Sequence, residues 1–143
     1  MPRDLSQRSA LLHIVLQSDR HGDCAIATMA SYLGRTYEEV LVEVARVTRG
    51  DVLSRGLYNG QMFKVAKRLG QTLKAKPWDR VDPDEATGIL YVKARIHGQE
   101  YADHLVLYRH GDIIDCRDGT LWDADVYLKH FAADPVSLMA VED

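Results

Sequence analysis

A chain of 143 residues, 46% hydrophobic and 27% charged with a net charge of −3, has the size and composition of one globular domain spanning residues 1–143. Its small negative balance excludes a nucleic-acid-binding surface for the chain as a whole, and no apolar run approaches the length of a membrane span, so neither nucleic acid nor membrane is an expected partner. Two cysteines make no disulfide framework, and Met1 to Ser9 is polar without a signal-peptide core, so a reducing, cytoplasmic setting is expected.

Leu11 to Gln17 is short, apolar and bounded by polar residues, and reads as a strand. A polar loop, Ser18 to Gly22, leads to Asp23, which can cap a helix from Cys24 to Leu33 that stops at Gly34. That helix is apolar almost all round, which predicts a central, buried position. Thr36-Tyr37-Glu38-Glu39 is a capping box opening a second helix with Val40, Leu41, Val44 and Val47 turned inward. After a loop from Gly50 to Gly60, Gln61 to Leu69 reads as a third helix, with Met62, Val65, Ala66 and Leu69 on one side and Gly70 as the stop. Asp82-Pro83-Asp84-Glu85-Ala86 has a cap followed by proline, the opening of a short helix. Beyond Gly88 the pattern turns to strands: Ile89 to Ile96, His104 to Arg109 and Asp112 to Asp115, the last two joined by a tight turn at His110-Gly111. Leu121-Trp122 extends this sheet, Asp123 to Phe131 reads as a last helix and Val136 to Val141 as a last strand. Helices first and antiparallel strands second is an α+β layout.

The chemistry concentrates at Cys24. A helix N-terminus carries unpaired N–H groups and the positive end of the dipole, so a thiol there ionises more readily, and the thiolate is the nucleophile. Gln17, one short loop upstream, and the Cys24 backbone N–H can donate to the oxyanion formed when sulfur attacks a carbonyl. Such a nucleophile needs a base, and the base an orienting group. Of six histidines, His104 opens an apolar strand, with His104 and Val106 on one face and Leu105 and Leu107 on the other. At that sheet edge it can be held in one rotamer against the N-terminus of a packed helix. A two-residue turn at His110-Gly111 pairs Arg109 with Asp112 and Val106 with Asp115. Asp115 then lies diagonally from His104 on the same face, roughly 7–8 Å away backbone to backbone. Asp118 falls on the opposite face and is the reserve, since a three-residue loop reverses the parity.

The order Gln17, Cys24, His104, Asp115 resembles the papain-like cysteine peptidase superfamily, and within it most nearly the bacterial bacteriocin-processing peptidases that cut after double-glycine leaders, and their relatives. Those open with a strand, a glutamine, a short loop, then Asp-Cys-Gly and an apolar helix ending in Tyr-x-Gly. Here the same places hold Gln17, Asp23-Cys24-Ala25 and Tyr32-Leu33-Gly34. The family continues with His-x-Val-Val on a strand and an Asp, often Asp-Pro, on the next; this chain has His104-Leu105-Val106-Leu107, then Asp115-Cys116. The chain departs in Ala25 for glycine, in one extra residue between Gln17 and Cys24, and in Cys116 for proline. The resemblance spans about Leu11 to Val141. It implies a papain-like α+β fold, its N-terminal helices and central cysteine-bearing helix packed on a C-terminal antiparallel sheet. It also implies a cysteine peptidase acting on a peptide or protein, with Cys24 as nucleophile, His104 as base and acid, Asp115 as orienter and Gln17 as oxyanion donor.

Other readings of these residues stay open. Cys24 also fits an inert core residue, His104 a satisfied strand-start histidine, and Asp115 an edge carboxylate. The same fold can run acyl transfer or deamidation, or serve as a binding module without turnover. No cofactor is expected. His21 and Cys24 have a His-x-x-Cys spacing, but no second close pair completes a zinc site. Cys116 reads as core. Tyr58, Trp78, Tyr101 and Trp122 read as core ahead of a substrate groove. Lys64, Lys67, Arg68, Lys74, Lys76 and Arg80 read as a solvated helix face ahead of a docking surface for an acidic partner.

Overall fold

The computed structural model describes residues 24–48, 59–94, 102–116 and 119–142, together with the backbone of 2–3. The predicted strand from Leu11 to Gln17, the loop after it and Asp118 lie outside the described residues.

Three helices come first: α1 (Cys24–Leu33), α2 (Tyr37–Thr48) and α3 (Asn59–Arg68). In α1, Ala25, Ile26, Ala27, Met29 and Ala30 are all buried, as its apolar circumference predicts. It ends where Gly34 takes φ 70°, which lets the Arg35 N–H reach back to the Ala30 carbonyl at 2.9 Å and close the last turn. The capping box before α2 is complete. The Glu39 N–H donates to Thr36 Oγ1 and the Thr36 N–H to Glu39 Oε1, each at 3.1 Å. The hydrogen bond from the Thr36 backbone, helped by the Arg35 guanidinium, holds the Glu39 carboxyl below the usual carboxylate range. A carboxylate depressed in this way supports the fold above its unfolded pKa, and that support is lost as pH falls through the folded value. Arg35 also donates through Nη2 to the Leu69 carbonyl at 2.8 Å, and Arg68 binds Glu43, so the C-terminal end of α3 is tied to α2 and to the turn before it.

Among the described residues seven strands form one sheet: β1 (Pro2–Arg3), β2 (Leu73–Pro77), β3 (Thr87–Ala94), β4 (Ala102–Arg109), β5 (Asp112–Asp115), β6 (Thr120–Asp123) and β7 (Asp134–Val141). Their spatial order is β1-β6-β5-β4-β3-β7-β2, every neighbour antiparallel. A short helix, α4 (Ala124–His130), capped by Asp123, joins β6 to β7. This is the α+β arrangement that the sequence predicts, with the cysteine-bearing helix packed on an antiparallel sheet.

Both faces of the sheet are covered. On one, Ile89, Leu105 and Met139 pack against α1, α2 and α3, and Leu107, Ile114, Cys116 and Leu121 close on Ala27 of α1. On the other, Leu90, Val92, Val106, Tyr108, Ile113 and Leu138 pack against Ala124 and Tyr127 of α4. Tyr32 of α1 locks to the sheet by accepting the Val141 N–H at 2.7 Å. Among the described residues no helix is long and apolar enough to cross a membrane.

Two local readings are corrected. Asp82 to Ala86 makes a single turn, closed by the Ala86 N–H on the Asp82 carbonyl at 3.0 Å, and not a helix. The sheet competes for the next residues: the Ala86 carbonyl accepts the His110 N–H at 2.9 Å and the Pro83 carbonyl accepts the Tyr108 hydroxyl. Burial pushes the Tyr108 phenol above its ordinary value, so it remains a donor. The basic stretch is not one helix face either. Lys64, Lys67 and Arg68 belong to α3, but Lys74 and Lys76 lie on β2, an edge strand, where lysines and Pro77 discourage pairing with another chain.

Gly88 sits where β3 passes close to β7. A Cβ there would lie 2.3 Å from the Met139 carbonyl oxygen, and that neighbour is backbone. Gly88→Ala should therefore cost about 1–3 kcal/mol in a urea melt, the range for overpacking a close-packed site. An unchanged midpoint would show that the strands separate without penalty.

Candidate active site at the end of β4 and β5

The geometry starts at the β4–β5 hairpin. Its register pairs Arg109 with Asp112, Tyr108 with Ile113 and Leu107 with Ile114, so the connection is the two-residue turn that His110-Gly111 predicts. Both turn residues have positive φ, 48° at His110 and 88° at Gly111, as a type I′ turn requires. Carried one pair further, this register sets Val106 across from Asp115 and leaves His104 diagonal to it on the same face.

The side chains close that diagonal. His104 Nε2 lies 3.2 Å from both Oδ1 and Oδ2 of Asp115. The carboxylate is 0% exposed and the histidine 8%, so the pair is held away from bulk water. An ionised carboxylate only accepts hydrogen bonds, so Nε2 carries the ring proton and Nδ1 is the basic atom of the neutral ring. The same carboxylate fixes the tautomer and favours the imidazolium when the ring is charged.

A third group joins them that the sequence reading did not identify. The Tyr127 hydroxyl of α4 donates to Asp115 Oδ2 at 2.8 Å. Tyr127 is fully buried, against Trp122 at a ring separation of 5.8 Å and Phe131 at 4.7 Å. The signal was present in the sequence: Tyr127 follows Ala124 by three positions, on the face of α4 that must turn to the sheet, and a buried phenol needs an acceptor.

Helix α1 approaches this end of the sheet from the other face. Thr28 Oγ1 donates to the carbonyl of Leu105, the residue after His104, at 3.4 Å. Ser31 Oγ lies 3.5 Å from the sulfur of Cys116, the residue after Asp115. Thr28 and Ser31, three positions apart on one side of α1, thus run along the Leu105–Cys116 face of the sheet. The flank of α1 covers the Leu105 face of the sheet. The Cys24 side chain and Gln17 lie outside the described residues. Cys116 is 1% exposed in the core beneath α1. Trp78 and Trp122 pack in the sheet's second apolar cluster, as core aromatics do, while Tyr58 and Tyr101 lie outside the described residues. Among the described residues no group of three or more His, Cys, Asp or Glu side chains could hold a metal ion.

No family model matches this chain, and no curated protein matches it. Among solved structures it is similar to the peptidase domain of Streptococcus ComA, a bi-functional ABC transporter involved in a quorum-sensing pathway. The two are 15% identical, with a TM-score of 0.49, over 90% of this chain and 96% of that one.

Proposed function

We propose that this chain is a cysteine peptidase of papain-like type, acting on a peptide or protein substrate. One observation supports it: a buried imidazole is held through Nε2 by a fully buried carboxylate, in a chain whose α1 begins at a cysteine. In this reading Nδ1 of His104 takes the Cys24 proton, and the helix N-terminus supports the thiolate. Sulfur attacks the scissile carbonyl carbon, and the oxyanion is held by the Cys24 N–H and the Gln17 amide. The imidazolium gives its proton to the leaving amine as the C–N bond breaks, leaving a thioester. His104 then deprotonates a water that attacks the thioester, and the thiolate departs. Asp115 keeps the ring in the one tautomer and orientation that serves both steps. A nucleophilic thiolate must stay reduced, so a reducing compartment goes with this proposal.

A peptidyl vinyl sulfone, mapped by mass spectrometry, tests it. Wild type should carry one label, on Cys24, with none on buried Cys116, and His104→Ala should label at least about tenfold more slowly. Equal labelling of the two proteins would overturn the proposal.

A further inference from the structure

We infer that Tyr127 is a positioning residue whose hydroxyl, acting through Asp115, sets the orientation and charge of the His104 ring; this rests on the thiol-peptidase reading above. Asp115 is the last residue of β5, where ladder constraint ends, and it is fully buried. A buried charge is tolerated when hydrogen bonds satisfy its lone pairs, and the geometry of those bonds selects its rotamer. Oδ2 receives the Tyr127 hydroxyl at 2.8 Å, shorter than either 3.2 Å approach of His104 Nε2. The hydroxyl sits at the ordinary O–H···O distance while both imidazole approaches are longer than the ordinary N–H···O distance, so the imidazole reads a carboxylate that Tyr127 helps to orient.

The phenol is itself placed by the fold. Asp123 caps α4, its side chain accepting the Asp125 N–H at 3.3 Å, and the helix closes on the Phe131 N–H to Tyr127 carbonyl bond at 3.1 Å. The tyrosine ring is wedged edge-on to Trp122, whose own indole N–H is held by Thr120 Oγ1 at 2.8 Å. Thr120 pairs with Asp115 across β5 and β6, so the helix, the aromatic wedge and the carboxylate form one closed circuit. A hydroxyl delivered this rigidly acts on direction as well as on stability.

Tyr127→Phe keeps the ring and its packing and removes only the oxygen. In the full-length chain with 15N-labelled histidines, the titration midpoint of the His104 ring, assigned by its loss in His104→Asn, should fall by about 0.5–1 pH unit as the carboxylate turns from the ring. With a peptide substrate, kcat should drop about tenfold while KM stays within about twofold. Tyr108→Phe is the control: it removes a second buried phenol on this face, whose hydroxyl binds the Pro83 carbonyl, and should leave the His104 midpoint in place. A midpoint that stays or rises in Tyr127→Phe, or that moves equally in Tyr108→Phe, overturns the inference. The ring titration needs no turnover, so a wild type that cleaves no peptide defeats the peptidase reading separately.

Discussion

Replacing Cys24 by alanine should yield a folded chain whose peptide turnover has fallen by at least about 10⁴-fold, the scale on which triad nucleophiles act. The fold should tolerate it because α1 is anchored elsewhere. Ile26, Met29 and Ala30 fill the helical core, Thr28 bonds the Leu105 carbonyl, and Tyr32 holds Val141. Alanine is also the better helix former. The informative comparison is therefore between rate and melting temperature. A loss of rate at an unchanged melting temperature places the chemistry on sulfur, whereas retained rate removes Cys24 from any catalytic role.

The second large effect is expected at Asp115, where two substitutions separate charge from hydrogen bonding. Asp115→Asn keeps the shape and offers an acceptor to His104 Nε2, but removes the charge that favours the imidazolium. Peptide turnover should fall by about 10²- to 10⁴-fold with little loss of stability. Asp115→Ala also strips the acceptor from a fully buried tyrosine and a nearly buried histidine, so it should cost about 2–4 kcal/mol in a urea melt as well. Should the asparagine variant keep wild-type rate, the carboxylate is a structural anchor for Tyr127 and β5 and does not orient the ring.

What could be read beforehand was local. The β4–β5 register followed from two residues, because His110-Gly111 can take the positive φ values of a two-residue turn and one register then follows. That register alone placed Asp115, and not a neighbour, beside His104. The helix ends were equally legible, since Thr36 with Glu39, Gly34 and Gly70 are signals spent within a few residues. Contests between distant segments were not legible. Leu73–Pro77 alternates weakly, carries two lysines and ends in proline, yet it is a strand because β7 supplies a partner along its whole length. Asp82-Pro83 has a helix opening, but the next residues are claimed by the sheet through Ala86 and His110. Tyr127 stayed hidden for the same reason: its significance depends on an acceptor twelve residues away, across a chain reversal. Parity along β4 correctly separated His104 from Leu105. It could not say that the flank of α1 would cover the Leu105 face.

The proposed mechanism requires that the ring near the start of β4 ionise the thiol at the start of α1. The most direct measurement is the pH dependence of Cys24 alkylation by iodoacetamide, followed residue by residue in wild type and in His104→Ala. Wild type should react rapidly well below pH 7, and the alanine variant should revert toward the ordinary thiol value of about 8.5. Two superimposable profiles with a midpoint near that ordinary value would contradict it.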